Sequence, residues 1–105
     1  MDIEKSIASN LCEWASSHDA IAALWLFGSR AKGTSRKDSD FDIAIELRPA
    51  KGDHDWAYGD FVSCYEVWKC ELRRLVNGDV SLVSFRDDFD TPFDPRHGGI
   101  RLWLH

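Results

Sequence analysis

Residues 24–47 read LWLFGSRAKGTSRKDSDFDIAIEL, and the loop between the two apolar runs carries residue types suited to phosphate and metal chemistry. Gly28 and Ser29 end the first run, and Arg30 and Lys32 come next. Glycine lets a backbone approach a ligand closely, turned amides form an anion nest, and the Ser29 hydroxyl adds a donor. Arg30 and Lys32 add positive charge, so the set suits a phosphate. A bare Gly-Ser is also an ordinary strand-ending turn, so the dipeptide alone decides nothing. Asp38, Asp40 and Asp42 alternate, so on an extended chain they point the same way. Carboxylates held close repel each other, and one stays protonated unless a cation lies between them. A hard divalent ion such as Mg²⁺ takes oxygen ligands and removes the conflict. Asp38 and Ser39 also fit a solvated strand start. Asp42 does not, because it stands inside an apolar strand where aspartate is disfavoured.

Three familiar patterns fail on these residues. Gly28-x4-Gly33-Thr34 lacks the Lys that a P-loop needs directly after its second Gly. An EF-hand starting at Asp38 would need Gly where Ile43 stands and Glu where Pro49 stands. A glycosidase pair needs acids on opposite sides of a sugar cleft, not alternate residues of one strand.

These residues need elements that hold them. Residues 2–18 read as a helix, with Ile3, Ile7, Leu11 and Trp14/Ala15 at helical spacing and Asp2 and Glu4 near its start. Residues 20–27 form a near-continuous apolar run stopped by Gly28, which reads as a buried strand. Residues 29–40 read as loop with room for one helical turn. In residues 41–47, Phe41, Ile43, Ile45 and Leu47 face one way and Asp42, Ala44 and Glu46 the other. Tyr58, Phe61, Tyr65, Trp68, Leu72 and Leu75/Val76 predict a long helix over 56–77, with Asn77-Gly78 as its stop. Residues 80–85 read as a third strand, and IRLWLH at the end as a short strand or docking segment. Antiparallel neighbours need no crossover helix, whereas a strand reached through a long helix suits a parallel neighbour. The expectation is a single domain over residues 1–105. It is of the α+β class, with a small mixed sheet of three to four strands and helices packed on one face.

The pair Gly28-Ser29, ten residues, then Asp40-Phe41-Asp42 resembles the polymerase-β-type nucleotidyltransferase superfamily. The run FGSRAKGTSRKDSDFDIAI is similar to the minimal nucleotidyltransferases, many of them encoded beside HEPN-domain proteins. The resemblance implies that Gly28 and Ser29 hold the β- and γ-phosphates of a nucleoside triphosphate, assisted by Arg30 and Lys32. It implies that Asp40 and Asp42 bind Mg²⁺ in a two-metal site, and that a third carboxylate on the strand after the long helix completes it. Here the chain departs from the family, which carries Asp between apolar residues where this sequence reads Val80-Ser81-Leu82-Val83. The simplest alignment puts Ser81 at that place. Asp79 stands two residues earlier on the same strand face, roughly 7 Å along it, and is the candidate third acid. The implied activity is transfer of an NMP, AMP from ATP foremost, to a hydroxyl. The implied acceptor is a protein partner such as a HEPN-domain toxin or another helical protein, which makes the chain an antitoxin. The alternative is a weak or inactive nucleotidyltransferase-fold module that neutralises its partner by binding. A third, weaker reading is an antibiotic-modifying or nucleotide-sensing domain.

Composition bounds these readings. A net charge of −5 argues against a bulk electrostatic grip on nucleic acid. No stretch is long and apolar enough to span a bilayer. Cys12, Cys64 and Cys70 form no CxxC, which suggests thiols packed as small apolar groups in a reducing cytoplasm, and no zinc cluster. Association with itself or with another chain is compatible with the apolar tail. Trp25, Trp68 and Trp103 lie in apolar patterns and read as core; Trp56 and Tyr58 are the better candidates for exposed aromatics. The four histidines read as surface or helix-end groups, and the acids of RDDFDTPFD as a solvated loop.

Overall fold

The computed structural model describes residues 3–36, 39–49, 55–85 and 98–105. Its elements are α1 (Lys5–Ser16), β1 (Ile21–Phe27), α2 (Gly28–Lys32), β2 (Phe41–Leu47), α3 (Trp56–Val76), β3 (Val80–Phe85) and β4 (Ile100–Leu104). The strands form one mixed sheet in the order β3-β2-β1-β4. β1 pairs antiparallel with β2 and β4, and β2 pairs parallel with β3, the strand reached through α3. The α+β architecture with a small mixed sheet is as the sequence predicts.

Alternation in β2 decides which face is buried. Phe41, Ile43, Ile45 and Leu47 join Ile21, Leu24, Val80 and Leu82 beneath Leu11 and Trp14 of α1 and Phe61, Trp68 and Leu72 of α3. Trp68 meets Trp14 edge-on at 5.9 Å, locking the two helices to each other. Asp42, Ala44 and Glu46 lie on the opposite face, where β3 presents Ser81, Val83 and Phe85 in register. The helices α1 and α3 therefore cover one face and leave the carboxylate-bearing face to the site.

Several boundaries differ from expectation for local reasons. α1 ends at Ser16 because the Ser17 hydroxyl donates to the Trp14 carbonyl at 2.7 Å and caps the turn. The space after β1 holds a full turn, α2, stopped by Gly33 at φ 75°. α3 ends in a left-handed residue that is Asn77 (φ 55°), with Gly78 next to it taking no such angle. Trp56 is half-buried against the core, not an exposed platform, while Tyr58 is exposed. Trp68 is core as expected, whereas Trp25 and Trp103 are only half-buried. The three cysteines are free thiols. Asp38, His54, His97 and the RDDFDTPFD segment lie outside the described residues.

Both sheet edges carry a side-chain contact to an outer carbonyl. Tyr65 of α3 donates to the Leu82 carbonyl of β3 at 3.4 Å, and the Cys12 thiol donates to the Leu102 carbonyl of β4 at 3.2 Å. Leu102 sits at a register shift in the β1–β4 ladder, so its carbonyl needs another partner.

Candidate active site

The antiparallel β1–β2 pair brings the end of β1 beside the start of β2. Phe27 lies opposite Asp42, and Gly28 comes directly after it. Gly28 has φ 71°, in the left-handed region. A Cβ there would overlap Oδ2 of Asp42 and lie 3.0 Å from its carboxyl carbon. The glycine therefore does two jobs: it turns the chain into α2, and it leaves room for the carboxylate against the backbone. The phosphate-type loop and the acidic strand meet at this contact.

On its other side Asp42 pairs in register with Ser81 of β3, which puts the serine hydroxyl on the carboxylate's face of the sheet. Burial, with the negative charge of Asp40 behind it, pushes the Asp42 carboxyl above its ordinary range. The Ser81 hydroxyl and the Arg30 charge oppose that push. Asp40 is exposed, one residue ahead of β2. A half-buried carboxylate raised partly by a second carboxylate is a donor set that fits a hard divalent cation, which would relieve both causes.

The remaining expected site residues do not all converge on this contact. Ser29 is half-buried in α2, and its carbonyl accepts the Thr34 N–H at 2.9 Å. Lys32 is exposed at the end of α2, with its stem beside Gly98 just ahead of β4. Arg30 turns to the other side, with Nη2 and Nε donating to the Ser39 carbonyl at 2.9 and 3.3 Å. Its guanidinium carbon lies 3.8 Å from the Phe41 ring centroid. Asp79 does not join the carboxylate pair. Its carboxylate meets Arg73 at 3.2 Å, with the two side chains 74% and 53% exposed. Its carbonyl accepts the Phe41 N–H at 2.9 Å. Among the described residues no three His, Cys, Asp or Glu side chains converge as a metal cluster. Phe41 as the platform for Arg30 escapes a sequence reading, since the contact spans eleven positions and obeys no spacing rule.

The sequence pattern of the polymerase β nucleotidyltransferase family matches residues 9–94. The chain belongs to this family. No curated protein matches it closely. A crystal structure of a toxin–antitoxin with AMP-PNP superposes with a TM-score of 0.68 at 21% identity, covering 93% of this chain and 73% of that one. A Sulfolobus solfataricus protein assigned as a nucleotidyltransferase superposes at 0.55, also at 21% identity, covering 95% of this chain and 78% of that one. Both share the nucleotidyltransferase fold with this chain. No described helix is long and apolar enough to cross a membrane.

Proposed function

We propose that this nucleotidyltransferase domain transfers an NMP, most readily AMP from ATP, to a hydroxyl on a partner protein. The observation that carries the reading is the contact of Gly28 with the Asp42 carboxylate, which joins a phosphate-type loop to an acidic pair. Gly28 and Ser29 would take the triphosphate tail, with the Lys32 charge within reach along α2. Asp40 and Asp42 would hold Mg²⁺. Bound there, the ion would offset phosphate charge and lower the pKa of an acceptor hydroxyl. The protein's own contribution is to keep Asp42 half-buried and in place: Gly28 clears its space, and β3 sets Ser81 beside it in register. By resemblance, the acceptor is a hydroxyl on a helical protein such as a HEPN-domain toxin, with this chain as antitoxin in the cytoplasm. The toxin–antitoxin neighbour with AMP-PNP supports a partner and a nucleotide of this kind.

A second reading has a specific observation behind it. Ser81, not an acid, stands beside Asp42, and Asp79 is engaged by Arg73. A site with two carboxylates holds metal more weakly and offers no further base. In this reading the domain binds nucleotide and neutralises its partner by complex formation. Labelled ATP, Mg²⁺ and the co-expressed partner separate the two. Label transfer by wild type and its loss in Asp42→Asn support the enzyme; complex formation without transfer supports the binding module. Transfer that persists in Asp79→Asn removes Asp79 from the metal site.

A further inference from the structure

The Arg30 side chain grips the residues on both sides of Asp40. Its fork donates twice to the carbonyl of Ser39, and its plane stacks on the ring of Phe41. Phe41 is itself fixed: it is buried in the core, and its N–H is held by the Asp79 carbonyl. Ser39 is also held, since its hydroxyl accepts the Arg36 N–H at 2.7 Å. Arg30 further lines a groove of about 660 Å³ together with Ile3 just ahead of α1, Ile7 of α1 and Leu75 of α3. That groove lies on the helix-covered side, whereas Asp42 and Ser81 occupy the opposite face. The guanidinium is thus behind the carboxylates, and two of its donors are committed to backbone.

We infer that Arg30 is a positioning residue that fixes Asp40 beside Asp42 by holding Ser39 and Phe41, and is not a phosphate ligand. The inference rests on the reading of Asp40 and Asp42 as the metal-binding pair. A planar fork that also stacks cannot be replaced by an ammonium group, which keeps the charge but neither the paired donors nor the flat face. This difference supplies the test. Mn²⁺ alone is titrated into the full chain and its free fraction monitored by electron paramagnetic resonance. Backbone hydrogen exchange of residues 39–42 and the melting temperature are measured on the same samples. Arg30→Lys is expected to weaken Mn²⁺ binding about tenfold or more, the scale at which partners of metal ligands act. It is also expected to speed exchange at residues 39–42, with the melting temperature little changed. Phe41→Leu, which keeps an apolar side chain and removes the ring face, is expected to fall between Arg30→Lys and wild type.

Unchanged Mn²⁺ affinity in Arg30→Lys overturns the inference, because a phosphate-binding cation predicts that result. A lowered melting temperature with unchanged Mn²⁺ affinity overturns it too, as a merely structural arginine would behave that way. If wild type binds no Mn²⁺ and Asp40→Asn is no different, the metal reading fails. The exchange data then decide the positioning role alone: unchanged exchange at 39–42 in Arg30→Lys refutes it, and faster exchange sustains it.

Discussion

At the scale of residues, Gly28 and Asp42 compete for one volume, and the carboxylate occupies it. Gly28→Ala would place a methyl group there and force a left-handed angle on alanine. The strain alone costs about 1–3 kcal/mol, and urea denaturation should register a loss at least that large. Divalent-ion binding should fall further than stability does, because the methyl displaces Asp42 directly. Ser81 makes the complementary prediction. Ser81→Asp sets an acid next to Asp42, and directly opposed like charges destabilise a strand pair by up to about 1 kcal/mol. The melting temperature in a chelator should therefore drop, and excess Mg²⁺ should recover it by more than it raises wild type. Equal Mg²⁺ shifts in the two proteins would argue that residue 81 does not face the metal. The Gly-Ser and Asp-x-Asp pairs were legible in the sequence because each is short and local. The orientations of Arg30 and Asp79 were not. Arg30 reaches a carbonyl and an aromatic ring on the far side of β2, and Asp79 meets Arg73, through contacts that no alternation or helical period encodes.

At the scale of elements, α3 sets the height of β3 and so the placement of Ser81. Leu72 on its inner face is fully buried, and Leu72→Ala is expected to cost about 2–5 kcal/mol, read as a shifted denaturant midpoint with an unchanged slope. The exposed Arg73–Asp79 pair contributes far less. Asp79→Asn should change stability by less than about 1 kcal/mol, the usual worth of an exposed ion pair, and a larger loss would mean that the Asp79 side chain anchors the turn into β3. Helix stripes and strand alternation made these elements readable, and β2 and β3 came out with the limits the pattern gave. The ends of α1 and the turn of α2 were harder to read, because they depend on the Ser17 hydroxyl bond and on the left-handed Gly33, which are individual backbone events.

At the scale of the whole molecule, one buried cluster ties both helices to the sheet, and His18 sits at its rim. Its ring lies 4.6 Å from Trp14 and 5.0 Å from Trp68. Burial lowers its pKa below the ordinary 6.5, with the Glu71 charge opposing. The unfolded chain therefore takes up the proton at higher pH than the native protein does. Stability should be full above pH 6.5 and decline as pH falls below it toward the lowered native pKa, with no further loss from this group once both states are protonated. His18→Gln should flatten that part of a urea-midpoint profile, and an unaltered slope would assign the dependence to other groups. The sequence alone determined the class of fold, the strand that bears Asp42 and the loop that faces it, because periodicity and a short motif act over a few residues. Tertiary structure decided the rest. The parallel register of β2 and β3 set Ser81, not Asp79, beside Asp42, and the antiparallel register of β1 and β2 pressed that carboxylate onto Gly28. Registers are fixed by the packing of whole faces against the helices, and a slip of one residue would turn every one of those side chains to the other side.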